Sequence, residues 1–153
     1  MKYVVDTSLI NKLVDGSVES DELPKDGSFV ASHVQIDEIN RTTDAERKLK
    51  LLEKFKETID EVLPTESFVL GASQLGGGKL GNGVAYQSIK ADLDARNKGK
   101  PNNSKDALIA EVAMINGYTL LTADYDLYQV SYAKGIGTMY WTTYQTLRSR
   151  RTH

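Results

Sequence analysis

Cysteine is absent from the 153-residue chain, so the chain can form neither a disulfide framework nor a thiolate metal site. This composition suits a reducing compartment, and we expect a cytoplasmic protein. Long apolar runs are also absent: the longest cover only a few residues, whereas a membrane-spanning helix needs roughly 20. An acid interrupts the apolar stretch within residues 1–10, which therefore do not resemble a signal peptide. We expect no association with a membrane.

The chain has little excess charge of either sign. Its formal net charge of −2 argues against a protein that grips nucleic acid over a broad basic surface. A nuclease is still compatible with this value, because clustered acidic ligands lower the net charge and bound cations reverse the local field. Length and composition together predict one globular domain. We assign it to residues 1–147, followed by a disordered basic tail at 148–153.

Short β-branched segments alternate with helical patterns along the sequence. The predicted strands cover residues 2–6, 29–31, 67–70, 119–122 and 138–141. The predicted helices cover residues 7–14, 32–42, 44–62, 84–96, 104–116 and 124–133. The apolar face of the helix at 44–62 is assigned to Leu49, Leu52, Phe55, Ile59 and Val62. This alternation predicts an α/β fold with a parallel sheet and helices on both of its faces.

Four acids stand near the places where predicted strands end or helices begin. Asp6 ends the first strand, Asp124 follows the strand at 119–122, and Asp106 lies in the first turn of a strongly apolar helix. Glu38 lies among apolar residues of the helix at 32–42, which can draw it toward the sheet. Because ligands of parallel sheets bind beyond the carboxyl ends of the strands, one edge of the sheet can collect all four carboxylates.

Each acid also has an ordinary structural explanation. Asp106 can be a charge favoured by the helix dipole, Asp124 can be a helix N-cap, and Glu38 can be a surface charge. Asp6 directly follows an apolar Val-Val pair and is harder to explain in this way. The prediction of a site therefore depends on the joint arrangement more than on any single acid.

A shared pocket of carboxylates predicts a divalent cation. Four close carboxylates repel each other, and burial adds to the cost of keeping them charged. A hard cation such as Mg²⁺ or Mn²⁺ offsets this repulsion and prefers oxygen ligands. Such sites serve phosphoryl chemistry, because the metal activates water and stabilises charge on the phosphate. His33 and His153 have no partners that would indicate zinc.

The glycine-rich segment at residues 71–83 contains Lys79 and resembles a phosphate-binding loop at first sight. That motif requires glycine where Ser73 stands and serine or threonine where Leu80 stands, so the match fails twice. A dinucleotide fingerprint is also missing after the first strand. Ser8 replaces the second acid of the Asp-x-Asp motif of haloacid-dehalogenase phosphatases. The segment is interpreted as a mobile loop beside the cleft or as a plain flexible connection.

Four segments resemble, in their order and spacing, the motifs of the PIN-domain family of metal-dependent ribonucleases. They are Tyr3–Ser8, Val34–Ile39, Ser104–Ala110 and Leu120–Leu127. The resemblance spans most of the chain. It implies a single-domain, three-layer α/β/α sandwich with a mostly parallel five-stranded sheet and a cleft whose acids bind Mg²⁺ or Mn²⁺.

Carried over motif by motif, the resemblance also implies roles for individual residues. The implied metal ligands are Asp6, Glu38, Asp106 and Asp124, with Asp126 sharing or replacing the role of Asp124. Thr7 or Ser8, together with Thr122, would support the ligands through hydrogen bonds. Asp37 is expected to face elsewhere, because neighbouring helix positions point about 100° apart.

The resulting prediction is an Mg- or Mn-dependent endoribonuclease that hydrolyses RNA phosphodiester bonds. The basic side chains expected near the phosphates are Lys79, Lys90, Arg96, Lys98, Lys100 and Lys105, although each is explained equally well as an ordinary surface residue. Many small PIN-domain proteins are toxins silenced by an antitoxin, and many are dimers. An antitoxin partner and a homodimer are thus further expectations. The glycine-rich segment at 71–83 and the long charged helix at 44–62 depart from the pattern of a compact toxin. The alternative is a catalytically silent PIN-like protein that binds nucleic acid or acts as a scaffold, against which the complete acid set argues.

Overall fold

A parallel β-sheet forms the centre of the described part of the molecule. The computed structural model describes residues 1–19, 22–63 and 82–140. Their elements are β1 (Lys2–Val5), α1 (Thr7–Asp15), β2 (Ser28–Ser32), α2 (His33–Asn40), α3 (Ala45–Thr58), β3 (Glu61–Leu63), α4 (Asn82–Asn97), α5 (Asn103–Asn116), β4 (Thr119–Thr122), α6 (Tyr125–Ala133) and β5 (Thr138–Tyr140). The strand predicted at 67–70, residues 71–81 of the glycine-rich segment and the tail at 148–153 lie outside the described residues.

The strand order within the described residues is β3-β2-β1-β4-β5, and every neighbouring pair is parallel. The chain first builds the sheet outward from β1 through β2 and β3, and then returns to place β4 and β5 on the other side. The switch point of the sheet therefore lies between β1 and β4, where open α/β sheets place their ligand crevice. The predicted α/β fold is confirmed, with a sheet that is fully rather than mostly parallel.

Two apolar cores lie on opposite faces of the sheet. Successive strand residues point to opposite faces, so Val4 and Leu120 pack with α4, α5 and α6. Val5 and Leu121 pack on the other face with α1, α2 and α3. The helix α5 is buried along most of its length, from Ala107 to Ala113. None of the described helices is both long and apolar enough to cross a bilayer.

The side chain of Gln35 ties α2 to the central strand. Its Oε1 accepts a hydrogen bond from the Ser32 backbone N–H at 2.9 Å, and its Nε2 donates to the Val5 carbonyl oxygen at 2.7 Å. Gln35 is fully buried, so these bonds are shielded from water. They hold the start of α2, and with it the helix that carries Glu38, beside the end of β1.

The helix predicted at 44–62 is shorter than expected. The structure ends α3 at Thr58, and Val62 belongs to β3, which pairs with β2. The Asp60 N–H donates to the Phe29 carbonyl oxygen, so the open edge of β2 supplies partners that a longer helix would leave unused. Leu49 is wrong as a core residue, because 68% of its surface is exposed. The buried stripe consists of Leu51, Phe55 and Thr58, while the predicted Leu52 and Ile59 pack partly against it.

This stripe predicts unequal effects of two similar substitutions on one helix. Leu51→Ala should lower the free energy of unfolding by about 2–4 kcal/mol, because it deletes buried methyl groups and leaves a cavity. Leu49→Ala should change that free energy by no more than about 0.5 kcal/mol, because Leu49 is already in water. Urea denaturation followed by circular dichroism measures both. Equal destabilisation by the two variants would contradict the observed orientation of α3, which turns Leu51 to the core and Leu49 to solvent.

Candidate active site

The carboxyl ends of β1 and β4 bring together side chains from distant parts of the sequence. The parallel register pairs Val5 with Leu121, so the residues that follow them become neighbours. The Asp6 N–H donates to the Leu121 carbonyl oxygen at 3.1 Å. The Thr122 hydroxyl donates to Oδ2 of Asp6 at 2.7 Å, across 116 sequence positions. The switch point of the sheet is thus marked by a buried carboxylate.

Asp6 has only 2% of its surface exposed, and its pKa is raised although neighbouring hydroxyls oppose the effect of burial. The Ser8 hydroxyl donates to the same Oδ2 at 2.6 Å. Burial raises the pKa of the Asp6 carboxyl, the hydrogen bonds from Ser8 and Thr122 lower it, and the nearby Asp124 charge raises it further. The hydroxyls therefore favour the ionised form of Asp6 and hold it in one orientation.

Asp124 both caps a helix and faces the cleft. Its Oδ1 accepts a hydrogen bond from the Leu127 N–H at 3.1 Å, which makes it the N-cap of α6. Its own N–H donates to the Thr122 hydroxyl at 2.9 Å. Thr122 therefore connects Asp124 with Asp6. The structural explanation considered for Asp124 holds, and it coexists with a position in the acid cluster.

Asp106 and Glu38 complete the cluster from the helices. Asp106 lies in the first turn of α5. Burial, followed by the charges of Asp6, Asp124 and Glu38, raises the pKa of Asp106 to about 8, and the neighbouring Lys105 opposes this shift. Glu38 Oε2 lies 3.2 Å from the Lys105 ammonium nitrogen. The charges of the other three acids of the cluster thus all act on the Asp106 carboxyl.

All four acids line one open cleft with a volume of about 410 Å³. The described residues that line it are Asp6, Thr7, Ser8, Asn11, Glu38, Asn97, Lys100, Pro101, Asn102, Asn103, Asp106 and Asp124. The predicted residues Lys100, Thr7 and Ser8 therefore line the cleft. The predicted Thr122 is not among the lining residues, but its hydroxyl donates a hydrogen bond to Asp6. One wall is the connection between α4 and α5.

The amide residues of that connection were not predicted from the sequence. Asn103 is buried, and its Nδ2 donates to Asp94 Oδ1 at 2.7 Å and to Asn97 Oδ1 at 2.8 Å. Asn97 Oδ1 also accepts from the Lys100 N–H at 3.2 Å. These bonds fold the loop into a rim and place Lys100 over the cleft. The polar stretch at 97–103 is visible in the sequence, but its pattern does not show which amides turn inward.

Other predicted residues do not line the cleft or lie outside the residues that the structure describes. Asp126 is directed toward Arg96, whose Nε lies 3.2 Å from Asp126 Oδ1, and it is not among the described residues that line the cleft. Lys90 is paired with Asp94 at 2.9 Å, within α4. Lys79 lies outside the described residues. Asp37 is exposed on α2, as its helix position predicts.

The chemistry of the cluster suits a hard divalent cation. Its side chains offer carboxylate and hydroxyl oxygens, and oxygen is the ligand type that Mg²⁺ and Mn²⁺ prefer. Burial and then the charges of neighbouring acids raise the pKa of Asp106, and a cation would offset the repulsion between these acids. Among the described residues, no three acidic or histidine side chains converge closely enough to ligate one ion as they stand. Binding would therefore draw the carboxylates together and loosen the contact between Glu38 and Lys105.

No protein-family model matches the sequence, and no curated protein matches it. Several solved structures share its architecture. PAE2754 from Pyrobaculum aerophilum aligns over 98% of this chain and 96% of its own, with a TM-score of 0.56 and 17% identity. A PilT N-terminus domain protein from Sulfolobus solfataricus P2 aligns over 95% and 92%, with a TM-score of 0.51 and 14% identity. The protein has the PIN-domain fold.

A third PIN-fold neighbour is VapBC2 from Rickettsia felis, solved with a DNA fragment from its promoter. It aligns over 81% of this chain and 88% of its own, with a TM-score of 0.52 and 17% identity. These identities are low, so the likeness shows the fold. The PIN fold predicted from the four sequence motifs is confirmed.

The raised pKa of Asp106 predicts how stability changes with pH when metal is chelated. The folded-state pKa of about 8 exceeds the ordinary value of 3.8. The native protein therefore binds a proton at Asp106 more tightly than the unfolded chain does. The stabilisation that this proton gives is complete below about pH 4 and is lost as pH rises through about 8. Between pH 5 and pH 9 in EDTA, the melting temperature of the wild type should fall by roughly 4 °C or more relative to Asp106→Asn.

The Asp37→Asn variant is the control for this measurement, since it removes an exposed acid that does not line the cleft. Its melting temperature should follow that of the wild type across the pH range. Parallel curves for the wild type and Asp106→Asn would show that Asp106 titrates normally.

Proposed function

We propose that the protein is a metal-dependent endoribonuclease whose Asp6, Glu38, Asp106 and Asp124 hold Mg²⁺ or Mn²⁺. The observation that carries this proposal is the convergence of four carboxylates, from four separate elements, on one cleft at the switch point of the sheet. Keeping these charges together works against folding, as the raised pKa of Asp106 indicates. Such costs are typical of sites whose charges serve a function.

The PIN fold supports the same class of activity. Small proteins with this fold, to which the sequence motifs are similar, include ribonucleases that act as toxins. We extend the proposal to a toxin held silent by an antitoxin protein, which accords with the neighbours VapBC2 and FitAcB from Neisseria gonorrhoeae. FitAcB aligns over 90% of this chain and 96% of its own, with a TM-score of 0.50 and 15% identity. A homodimer is part of the same proposal.

Each part of the site has a distinct task in this proposal. When bound, Mg²⁺ or Mn²⁺ supplies an activated water and neutralises charge on the phosphate. Ser8 and Thr122 orient the Asp6 carboxyl through their hydrogen bonds and favour its ionised form against the effect of burial. Lys100, on the rim of the cleft, attracts the phosphates of the RNA backbone. Lys105 balances the charge of Glu38 while no cation does so.

A cleavage assay with fluorescently labelled single-stranded RNA tests the proposal. Asp6→Asn, Glu38→Gln and Asp106→Asn should each lower the cleavage rate by on the order of 100-fold or more, because a metal contributes several kcal/mol of charge stabilisation. EDTA should abolish cleavage by the wild type.

The matched control is Asp37→Asn, which removes the exposed acid next to Glu38 and should cleave at the wild-type rate. Equal cleavage by the wild type and Asp6→Asn would refute the assigned site. Absence of cleavage by every protein, across varied RNAs, would favour the catalytically silent alternative.

Metal binding is measurable without cleavage. Mn²⁺ at 100 times its dissociation constant should stabilise the wild type by about 2.7 kcal/mol, because a ligand that binds only the native state raises apparent stability. The effect should be much smaller for Asp106→Asn and unchanged for Asp37→Asn. Thermal melting across a Mn²⁺ titration gives the comparison, and equal shifts for all three proteins would place the cation elsewhere.

A further inference from the structure

Tyrosine rings form a continuous surface along α6. Tyr125, Tyr128 and Tyr132 follow each other at spacings of three and four, and Tyr140 joins them from the end of β5. The ring centroids of Tyr125 and Tyr128 lie 6.3 Å apart, and those of Tyr128 and Tyr132 lie 5.9 Å apart. Tyr140 meets Tyr125 edge-on at 5.7 Å and stacks on Tyr128 at 5.3 Å. We call these four residues the tyrosine row.

The row is not part of the core face of its helix. The buried side chains of α6 are Leu127, Val130 and Ser131. Tyr125 is 53% exposed and Tyr132 is 66% exposed, so both ends of the row present aromatic surface to water. A contiguous exposed aromatic patch is unusual on a globular surface and marks a place where something binds.

The row begins at the rim of the candidate active site. Tyr125 directly follows Asp124, and Arg96 directly precedes Asn97, while Asp124 and Asn97 both line the cleft. Arg96 joins the two sides of this rim, because its guanidinium carbon lies 5.8 Å from the Tyr125 ring centroid. Its ion pair with Asp126 holds it in place. A chain that leaves the cleft at this rim therefore meets an arginine and an aromatic ring together.

Positive charge accompanies the rings at the same rim. Lys98 and Lys100 are exposed in the connection between α4 and α5, and no described carboxylate lies within ion-pair distance of either. Aromatic rings beside a positively charged groove are the combination that binds single-stranded nucleic acid, since bases stack on the rings and phosphates meet the cations. Bases inside a duplex are already stacked on each other and are not available to such rings.

We propose that the tyrosine row, starting at Tyr125, is a stacking subsite for the bases of single-stranded RNA whose backbone enters the acidic cleft. The proposal rests on the proposed function and adds to it a base-binding surface beside the cleft. Tyr125 stacks the base next to the cleft, Arg96 and Lys100 contact the adjoining phosphates, and Tyr132 extends the surface for a longer strand.

Binding in EDTA tests the subsite without any cleavage. Fluorescence anisotropy compares a labelled oligoadenylate of about ten nucleotides, an abasic ribose-phosphate strand of the same length, and an RNA duplex. Tyr125→Ala should weaken oligoadenylate binding by roughly 5- to 100-fold, the usual effect of losing one stacking ring, and should not change binding of the abasic strand. Tyr125→Phe should bind like the wild type. Tyr132→Ala should show a smaller loss.

Tyr118→Ala is the matched control. Tyr118 also lies near a cation, with the Lys2 ammonium nitrogen 5.5 Å from its ring centroid. It directly precedes β4 and therefore lies at the amino ends of the strands, away from the cleft at their carboxyl ends. Its removal should leave the affinity for every strand unchanged. Thermal melting of each variant checks that the fold is kept, which is expected for Tyr125→Ala because Tyr125 is 53% exposed.

Three outcomes would overturn the subsite. The wild type could bind no single-stranded RNA, Tyr125→Ala could weaken the base-bearing and abasic strands equally, or it could leave all affinities unchanged, as expected if the row binds a protein partner. These outcomes differ from failure of the proposed function, which shows as absence of metal-dependent cleavage. Base-dependent binding without cleavage would retain the subsite and refute the nuclease.

Discussion

The hydrogen bond between Thr122 and Asp6 depends on the register of two parallel strands, and the placement of both Asp6 and Asp124 depends on the same hydroxyl. The pairing of Val5 with Leu121 places a hydroxyl beside a carboxylate that has almost no contact with water. A slip of one residue would turn the side chains of β4 to the opposite faces and leave Asp6 without this donor. Asp124 is held through the same hydroxyl, so one register positions both acids.

In the acid cluster, apolar packing holds carboxyl groups in places where their negative charge is unfavourable. The apolar body of α5 is buried from Ala107 onward, which anchors Asp106 in the cleft whether or not its charge is favoured there. The buried Gln35 does the same for the helix that carries Glu38. Rigid apolar packing thus forces carboxylates into proximity, and the raised pKa of Asp106 reflects first its burial and then the charges of the neighbouring acids. A hard cation held at the proposed site would offset the repulsion between these acids.

The rim around the acids comes from a different kind of structure. Buried amide hydrogen bonds from Asn103 shape the connection between α4 and α5 and place Lys100 over the cleft. On the adjoining side, Arg96 connects this rim with Tyr125 and the aromatic surface of α6. Acids at strand ends are suited to hold a cation, whereas loops and helix surfaces around them are suited to select what enters.

The sequence by itself determined the alternation of strands and helices and placed four acids near their ends, because these features follow from local hydrophobic periodicity. The similarity of four motifs added the PIN fold. Tertiary structure decided the end of α3, where pairing with the open edge of β2 overrode a helical pattern that continued to Val62. It also decided that Asp126 forms an ion pair with Arg96 and that the side chain of Asn103 is buried. Such choices depend on which partner lies across a gap in space, and neither residue spacing nor intrinsic propensity contains that information.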